Sequence, residues 1–330
     1  MTKKAPTQKD VARFAGVSQA AVSRFISGNG AISEEVQQKI LRAVDLLDYR
    51  PDPLARGLSS GKFNIIAIVM TNITNPWYPM VLELITRELR RVGMQALLFN
   101  ASPPQTVDDL MPQVLHYRVR GVIITTSSLN SSGADLCVKH GVPVVMFNRY
   151  SEVGNGHSVS TDNIGGGRLA ADALLRAGCR KPAFLGGMPA VSTNRDRRNG
   201  FTERLAELHA YRPPSLEKEF TYAWGYEGAQ MLLARHPDID GLFCADDEIA
   251  SGAIDALRYA LGKRVPEDVR VFGFDDHPVA SNAAYEVTTI RQPVEAMIAA
   301  AIELLLREGG KNEHRLLQGE LIYRKSTPAG

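Results

Sequence analysis

The sequence predicts an α/β protein in two parts: a small all-α head built on a helix-turn-helix, then a two-lobed body of doubly wound parallel sheet. Three observations carry this. The chain has 330 residues, too many for one small module and enough for two or three domains. Its first 62 residues hold ten Lys/Arg against six Asp/Glu, a net of +4, leaving −2 for the remainder of a chain whose total is +2. From Phe63 onward, apolar runs that do not alternate in polarity are each followed by an amphipathic stretch, as expected of parallel strands covered on both faces.

Composition sets the bounds. Hydrophobic residues at 44%, charged at 22% and aromatic at 7% match a globular chain with a sizeable core and exclude disorder as the main state. The longest apolar runs, Ile65–Met70 and Ala296–Ile302, fall far below the ~18 residues that span a bilayer. The start MTKKAPTQKD has no apolar signal segment. A cytoplasmic protein with no membrane partner is therefore expected. Cys137, Cys179 and Cys244 are odd in number and far apart, so neither a disulfide framework nor a metal site is expected, and no cofactor.

In the head, Thr7 can cap a helix starting at Gln8, with Val11, Ala12, Phe14 and Ala15 as its apolar face. Gly16 offers the left-handed conformation of a tight turn, and Ser18 caps a second helix. There Ala21, Val22 and Phe25 point inward, leaving Gln19, Ala20, Ser23 and Arg24 outward. Two short helices joined through such a turn place the second in the DNA major groove, with its first side chains on base edges. Ser33, followed by Val36, Ile40, Val44 and Leu47, starts a third amphipathic helix that completes the core. The stretch YRPDPLARGLSSG, residues 49–61, has room for only a turn or two of helix at 54–58, too short to be stable alone. Leu58 is then a linker residue or an apolar wedge for a minor groove.

The segment TQKDVARFAGVSQAAVSRFISG followed by AISEEVQQKILRAVDLLDYRPDPLARGL resembles the headpiece and hinge of the lactose/galactose repressor (LacI/GalR) family, without gaps. The resemblance implies that Thr7, Ser18 and Ser23 touch phosphates, Gln19 and Ala20 read base edges and Arg24 supports them. It also implies that Ala55 and Leu58 belong to the minor-groove hinge. The residue chemistry agrees in part, since Gln can pair bidentately with adenine and an Ala methyl can lie against the thymine methyl.

In the body, Ile65–Met70 precedes Met80–Val92, Gln95–Phe99 precedes Val107–Tyr117, and Gly121–Thr125 precedes Ala134–His140, with Val142–Phe147 after them. Then Ser158–Thr161 precedes Ile164–Ala177, Pro182–Leu185 precedes Asn194–Leu208, Gly241–Cys244 precedes Glu248–Leu261, and Val269–Gly273 leads to Val294–Arg307. Ligands of such sheets bind beyond the carboxyl ends of the strands, which in two facing lobes means the cleft between them. Asn72, Asn75, Trp77, Tyr78, Asn148, Arg149, Asp162, Asp246, Asp247, Asp275 and Asp276 follow strand ends. Carboxylates and amides for hydroxyls, an arginine fork and rings for the apolar face of a pyranose suit a sugar or polyol. Each Asp or Asn there can equally cap the next helix.

The phrases VSTDNIGGGRLAADAL, RDRRNGF, CADDEIASGAI, VFGFDD and YRKST resemble the periplasmic-binding-protein-like effector domain of the same family, across nearly the whole chain. Carried over by position, the effector contacts are Trp77, Tyr78, Asn148, Arg149, Asp162, Arg197, Phe220, Asp246 and Asp275. The family most often has Asn at the position of Asp246; the extra acceptor favours a neutral ligand, while Arg149 and Arg197 favour a sugar acid. The implied domains are a headpiece at 1–50, a hinge helix and linker at 51–62, and an effector and dimerisation domain at 63–330. Within the last, one lobe spans about 63–161 and 292–321, the other about 162–291 and 322–330.

Other motifs lead nowhere. GLSSGK at 57–62 is one residue short of a P-loop and has Phe63 where Ser or Thr would bind magnesium. Gly165–Gly167 lacks dinucleotide spacing and reads as a tight turn with close packing. No nucleophile and base stand in order for an enzyme, and the seven histidines have no metal-ligand spacing; only His277 is expected near the cleft. The expected function is a ligand-responsive repressor that binds a palindromic operator as a homodimer. Its effector would be a sugar, polyol or sugar acid, with a purine or phosphorylated metabolite as the alternative and a solute-binding protein for transport as a lesser one. With YRKSTPAG closing the sequence and no apolar heptads, a C-terminal tetramerising coiled coil is not expected.

Overall fold

A computed structural model of the chain describes residues 6–27, 31–50, 64–102, 105–125, 131–150, 156–209, 211–307, 309 and 311–329. Two units emerge, residues 1–63 and 64–330. The segment expected to form the hinge, 51–62, with Ala55, Leu58 and the GLSSGK motif, lies outside the described residues.

The first unit is a three-helix core. Helix α1 (Gln8–Ala15) starts where Thr7 and Asp10 satisfy each other's free amides: Asp10 N–H donates to Thr7 Oγ1 at 3.4 Å and Thr7 N–H to Asp10 Oδ2 at 2.9 Å. It stops at Gly16, whose φ of 65° is the left-handed cap that glycine adopts without strain. Helices α2 (Gln19–Ser27) and α3 (Glu34–Leu46) close over Val11, Ala12, Val22, Ile40, Ala43 and Tyr49. Phe14 departs from expectation: it is 57% exposed, because Val11, Ala12 and Ala15 already cover the α1 side of this small core.

The second unit holds two sheets. Strands β1 (Ile65–Met70), β2 (Gln95–Asn100), β3 (Gly121–Ile124), β4 (Val144–Phe147), β5 (His157–Thr161) and the late strand His314–Leu317 form one, all parallel, in the order His314–Leu317, β5, β4, β3, β1, β2. One face packs on α4 (Trp77–Arg91) and the helix Val294–Leu306 through Val81, Ile85, Met297 and Ile298. The other packs on α5 (Val107–His116) and α6 (Ser131–Lys139) through Leu110, Met111, Val114 and Cys137.

The other sheet is also parallel, with β7 (Ser215–Glu217), β6 (Pro182–Gly186), β8 (Gly241–Cys244) and β9 (Arg270–Phe272) in that order. Around it α7 (Asn163–Arg176) pairs with α8 (Ser192–His209), and α9 (Tyr222–Arg235) with α10 (Asp247–Asp255). The first pair approaches closely because Gly167 and Gly200 stand at the contact; a Cβ on Gly167 would lie 2.2 Å from the Arg197 carbonyl oxygen. Close packing, then, is what the glycines at 165–167 provide.

The chain crosses between the sheets at β5 into α7, and again through β10 (Thr289–Arg291) into α11 (Val294–Leu306). After β11 (His314–Leu317), β12 (Glu320–Ile322) pairs antiparallel with β10 and leads the tail back to β9, where Ser326 and Thr327 hydroxyls donate to Val271 O. The strand and helix succession matches the expected doubly wound α/β body. Helix α9 and strands β7, β10, β11 and β12 were not predicted. Gly225 and Gly228 interrupt the helical signal of α9, and three or four residues are too few for a strand pattern. Among the described residues no helix is long and apolar enough to cross a membrane, and the three cysteines are buried free thiols.

Candidate DNA-reading face and effector cleft

On α2 the predicted reading residues Gln19, Ala20, Ser23 and Arg24 are all exposed, while Val22 is buried in the head core. Arg24 is steadied by its own helix, Nε donating to Ala20 O at 3.3 Å. Ser18 Oγ accepts from Ala21 N–H at 3.1 Å, so it caps the helix at the end that would meet DNA. Thr7 does the same for α1 through Asp10. A helix N-terminus with free surface amides and small polar side chains is suited to phosphate.

In the second unit, loops after the strand ends converge on a closed cleft. Asn75, in the turn before α4, accepts from Trp77 N–H through Oδ1 at 3.1 Å and donates from Nδ2 to Asp246 Oδ2 at 3.0 Å. That bond joins the two lobes. Asp246 caps α10, its Oδ1 accepting from Ile249 N–H at 2.8 Å, so one carboxylate performs both the capping and the cleft role. Asn148 and Arg149 follow β4, Asn148 with a left-handed φ of 69°. The Arg149 guanidinium donates to Tyr78 Oη at 3.0 Å and lies 5.8 Å from the centre of the Phe220 ring across the cleft.

Arg197 is the anchor. It is 2% exposed and donates from Nε to Asn163 Oδ1 at 2.8 Å, from Nη1 to Ala245 O at 2.6 Å and from Nη2 to Asp275 Oδ1 at 3.1 Å, with its plane 3.6 Å from the Phe274 ring centre. Gln292 Nε2 also donates to Asp275 Oδ1, at 2.7 Å, and its own Oε1 accepts from Thr161 Oγ1 at 2.6 Å. Asp275 adopts φ 107°, backbone strain of the kind held at binding sites by surrounding structure.

Electrostatics follow from burial. Burial first, and the Asp275 charge second, push the Asp246 carboxyl up to about 7, outweighing the Ile249 amide and Arg197. Asp275 is raised by the same burial although Arg197 and Gln292 oppose it, and burial raises the Tyr78 phenol. Asp247, beside the cleft, is held well above the usual carboxylate range by burial while accepting from Thr289 Oγ1 at 2.7 Å and His277 N–H at 3.1 Å.

The space enclosed is about 20 Å³, room for about one water. Trp77, Tyr78, Asn148, Arg149, Arg197, Phe220, Asp246 and Asp275, which the sequence named as effector contacts, all line it. Asp162 does not. Its Oδ1 accepts from Gly165 N–H at 2.8 Å and Oδ2 from Gln318 at 3.1 Å, so at this strand end the helix cap is what the carboxylate serves. His277 also stands apart from the cavity, fully buried, with burial lowering it to about 4. Asn75 was a strand-end candidate, whereas Thr193, a further lining residue, and the supports Asn163 and Gln292 went unpredicted. They lie inside or beside helices, where a polar residue gives no signal of direction. Among the described residues, the buried Trp77 Nε1 and Asn148 Oδ1, a donor and an acceptor on lining residues, have no hydrogen-bond partner.

Comparison with known proteins places this geometry. Residues 7–52 match the model of bacterial regulatory proteins of the lacI family, and residues 171–327 the periplasmic binding protein-like domain. A ribose operon repressor of Halalkalibacterium halodurans is 30% identical over 329 residues, 98% of each chain. The chain belongs to the LacI family. A CelR transcriptional regulator solved in complex with cellobiose is 29% identical, with 97% of this chain and 99% of that one aligned at a TM-score of 0.72. The fold is also that of a lac repressor dimer bound to operator and an anti-inducer, 23% identical, TM-score 0.87, covering 99% and 100%. This LacI-family protein is accordingly a DNA-binding, ligand-binding transcriptional repressor and not an enzyme.

Proposed function

We propose that this LacI-family member represses transcription from a palindromic operator as a homodimer, under the control of a sugar, polyol or sugar acid held in the closed cleft. In this reading residues 1–50 are the headpiece, 51–62 the hinge and 63–330 the effector and dimerisation domain. Thr7, Ser18 and Ser23 hold phosphates, Gln19 and Ala20 read bases with Arg24 in support, and Ala55 and Leu58 enter the minor groove.

The observation that carries the effector assignment is a donor and an acceptor on residues lining the cavity, Trp77 Nε1 and Asn148 Oδ1, that have no partner among the described residues, beside the carboxylates of Asp246 and Asp275. A hydroxyl both donates and accepts, so a polyhydroxylated ligand can satisfy both kinds of atom at once. The Phe220 and Trp77 rings offer its C–H face an apolar surface. Arg197 already bonds to three protein acceptors, which leaves Arg149 as the principal cation for an acid. The relatives named for the ribose operon and solved with cellobiose support the sugar class, and the operator-bound dimer of the same fold supports the symmetric assembly that paired half-sites require.

The cavity is too small for a sugar as it stands, so entry requires the lobes to part, and ligand would hold them in a chosen relative angle. Coupling to DNA then equals the ligand's difference in affinity between the two states. A thermal-shift screen of the purified protein against sugars, polyols, sugar acids, purines and sugar phosphates tests this, since ligand at 100 times its dissociation constant adds ~2.7 kcal/mol. Stabilisation by a neutral sugar or polyol is the expected result, abolished by Asp275→Ala; stabilisation by purines or phosphates alone would reject the sugar class.

A further inference from the structure

Tyr150 bridges the two lobes through contacts with protein groups that do not line the effector cavity. It stands just beyond β4, on the lobe of the first sheet. Its hydroxyl donates to Asp196 Oδ2 at 2.8 Å and accepts from Arg195 Nη2 at 3.0 Å, and its N–H donates to Ser192 Oγ at 3.3 Å. The Arg195 guanidinium also lies 5.7 Å from the centre of its ring. All three partners belong to the start of α8, on the other lobe. None of the four residues lines the effector cavity. Nor do they share a partner with the inner bond between Asn75 and Asp246, so the two links between the lobes are separate from one another.

A contact made only when the lobes are closed lowers the free energy of that state whether or not effector is present. The apparent affinity of a ligand for the closed form scales with the fraction already closed. We propose that Tyr150 is a positioning residue for effector binding: by clasping α8 it holds the lobes together in the free protein, and so sets effector affinity without touching the effector. The clasp itself rests on the geometry above, and its consequence for affinity rests on the cleft being the effector site.

The test separates the two. Tyr150→Phe keeps the ring beneath Arg195 and removes only the hydroxyl bonds. In the ligand-free protein it is expected to speed amide hydrogen exchange at 148–150 and 192–197 about five- to ten-fold, equivalent to about 1–1.4 kcal/mol of closing free energy. It should also enlarge the radius of gyration by X-ray scattering, with exchange in β1 unchanged. Asp196→Asn retains an oxygen acceptor and should stay within about two-fold of the parent. Asp196→Ala, which leaves the Arg195 bond to the hydroxyl, should act in the same direction and by no more than Tyr150→Phe, and the double variant should fall short of the sum of the two, as a shared bond requires. Unchanged exchange and radius in Tyr150→Phe, fully additive effects, or equal loss of protection in β1 would each overturn the clasp. Calorimetry with D-ribose and cellobiose as probes then reads the affinity, with the dissociation constant of whichever binds expected to rise in Tyr150→Phe by up to the same factor, the fall in the closed fraction setting how much. Equal affinity in both proteins would overturn its role in binding. Failure of both sugars to bind would count against the sugar reading, while exchange and scattering still decide the clasp.

Discussion

Asp246 and Asp275 face one closed space, and a second negative charge there is costly to hold. Burial and the neighbouring Asp275 raise the Asp246 carboxyl from its ordinary 3.8 to about 7. The folded protein therefore keeps a proton that the unfolded chain has released. The stability this group contributes is fully present below about pH 4 and is lost as pH rises through about 7. Between pH 5 and 8 the melting temperature should fall with pH less steeply in Asp246→Asn than in the parent, by about 2 °C or more across the range. Circular dichroism melts decide this, and identical slopes would show that Asp246 does not titrate in that window. Asp275 has another task, since it balances the charge of Arg197, which is 2% exposed. Asp275→Ala should cost about 3–5 kcal/mol in chemical denaturation, as expected when one partner of a buried pair is removed; a loss under about 1 kcal/mol would mean that Asn163 and Ala245 suffice to hold Arg197. Both aspartates were legible as strand-end carboxylates, and so was Asp162. A strand-end Asp can serve the next helix or the cleft. Only the surrounding loops decide which, and Asp162 is claimed by Gly165 and Gln318.

Helix α2 was legible in full because capping, turn and inward face agree over nine residues and no distant contact is needed to define them. Gln19→Ala should reduce discrimination among operator variants by about 1–3 kcal/mol at its own base pair while leaving binding to unrelated DNA unchanged. Titration of a selected operator and single-base variants measures this, and a uniform loss on all sequences would reassign Gln19 to the phosphate backbone. Helix α9 was illegible for the opposite reason. Gly225 and Gly252 let α9 and α10 approach until a Cβ would sit 2.1–2.2 Å from backbone oxygen, so its glycines, which argue against a helix locally, are what the pair needs. The same logic applies to α7 and α8. Gly167→Ala should destabilise the protein by about 1–3 kcal/mol through overpacking and, by shifting Arg197, weaken effector binding as well. Wild-type stability in urea would show that the helices can part without cost.

The two sheets with their crossings make a body whose halves share three strands of chain, so small changes in lobe angle need no unfolding. Surface aromatics on the second lobe, Tyr259 at 79% exposure and Tyr222 at 37%, are of the kind that protein interfaces cover. Light scattering of the purified protein should give twice 36.1 kDa, and a monomer or a tetramer would contradict the proposed operator-bound assembly.

Sequence alone determined the alternation of the longer strands and helices of the body, the three-helix head with the outward face of α2, and the family, because each of these is written in local periodicity, caps and contiguous motifs. Only the tertiary structure decided which strand-end carboxylates meet. It also revealed that Arg197 is held by Asn163, Ala245 and Asp275 from three separate segments, and that Tyr150 spans the lobes. Those facts depend on residues 34 to 78 positions apart around Arg197 and 42 to 46 apart around Tyr150. No pattern within a helix or strand encodes such pairings; packing of whole lobes brings them together.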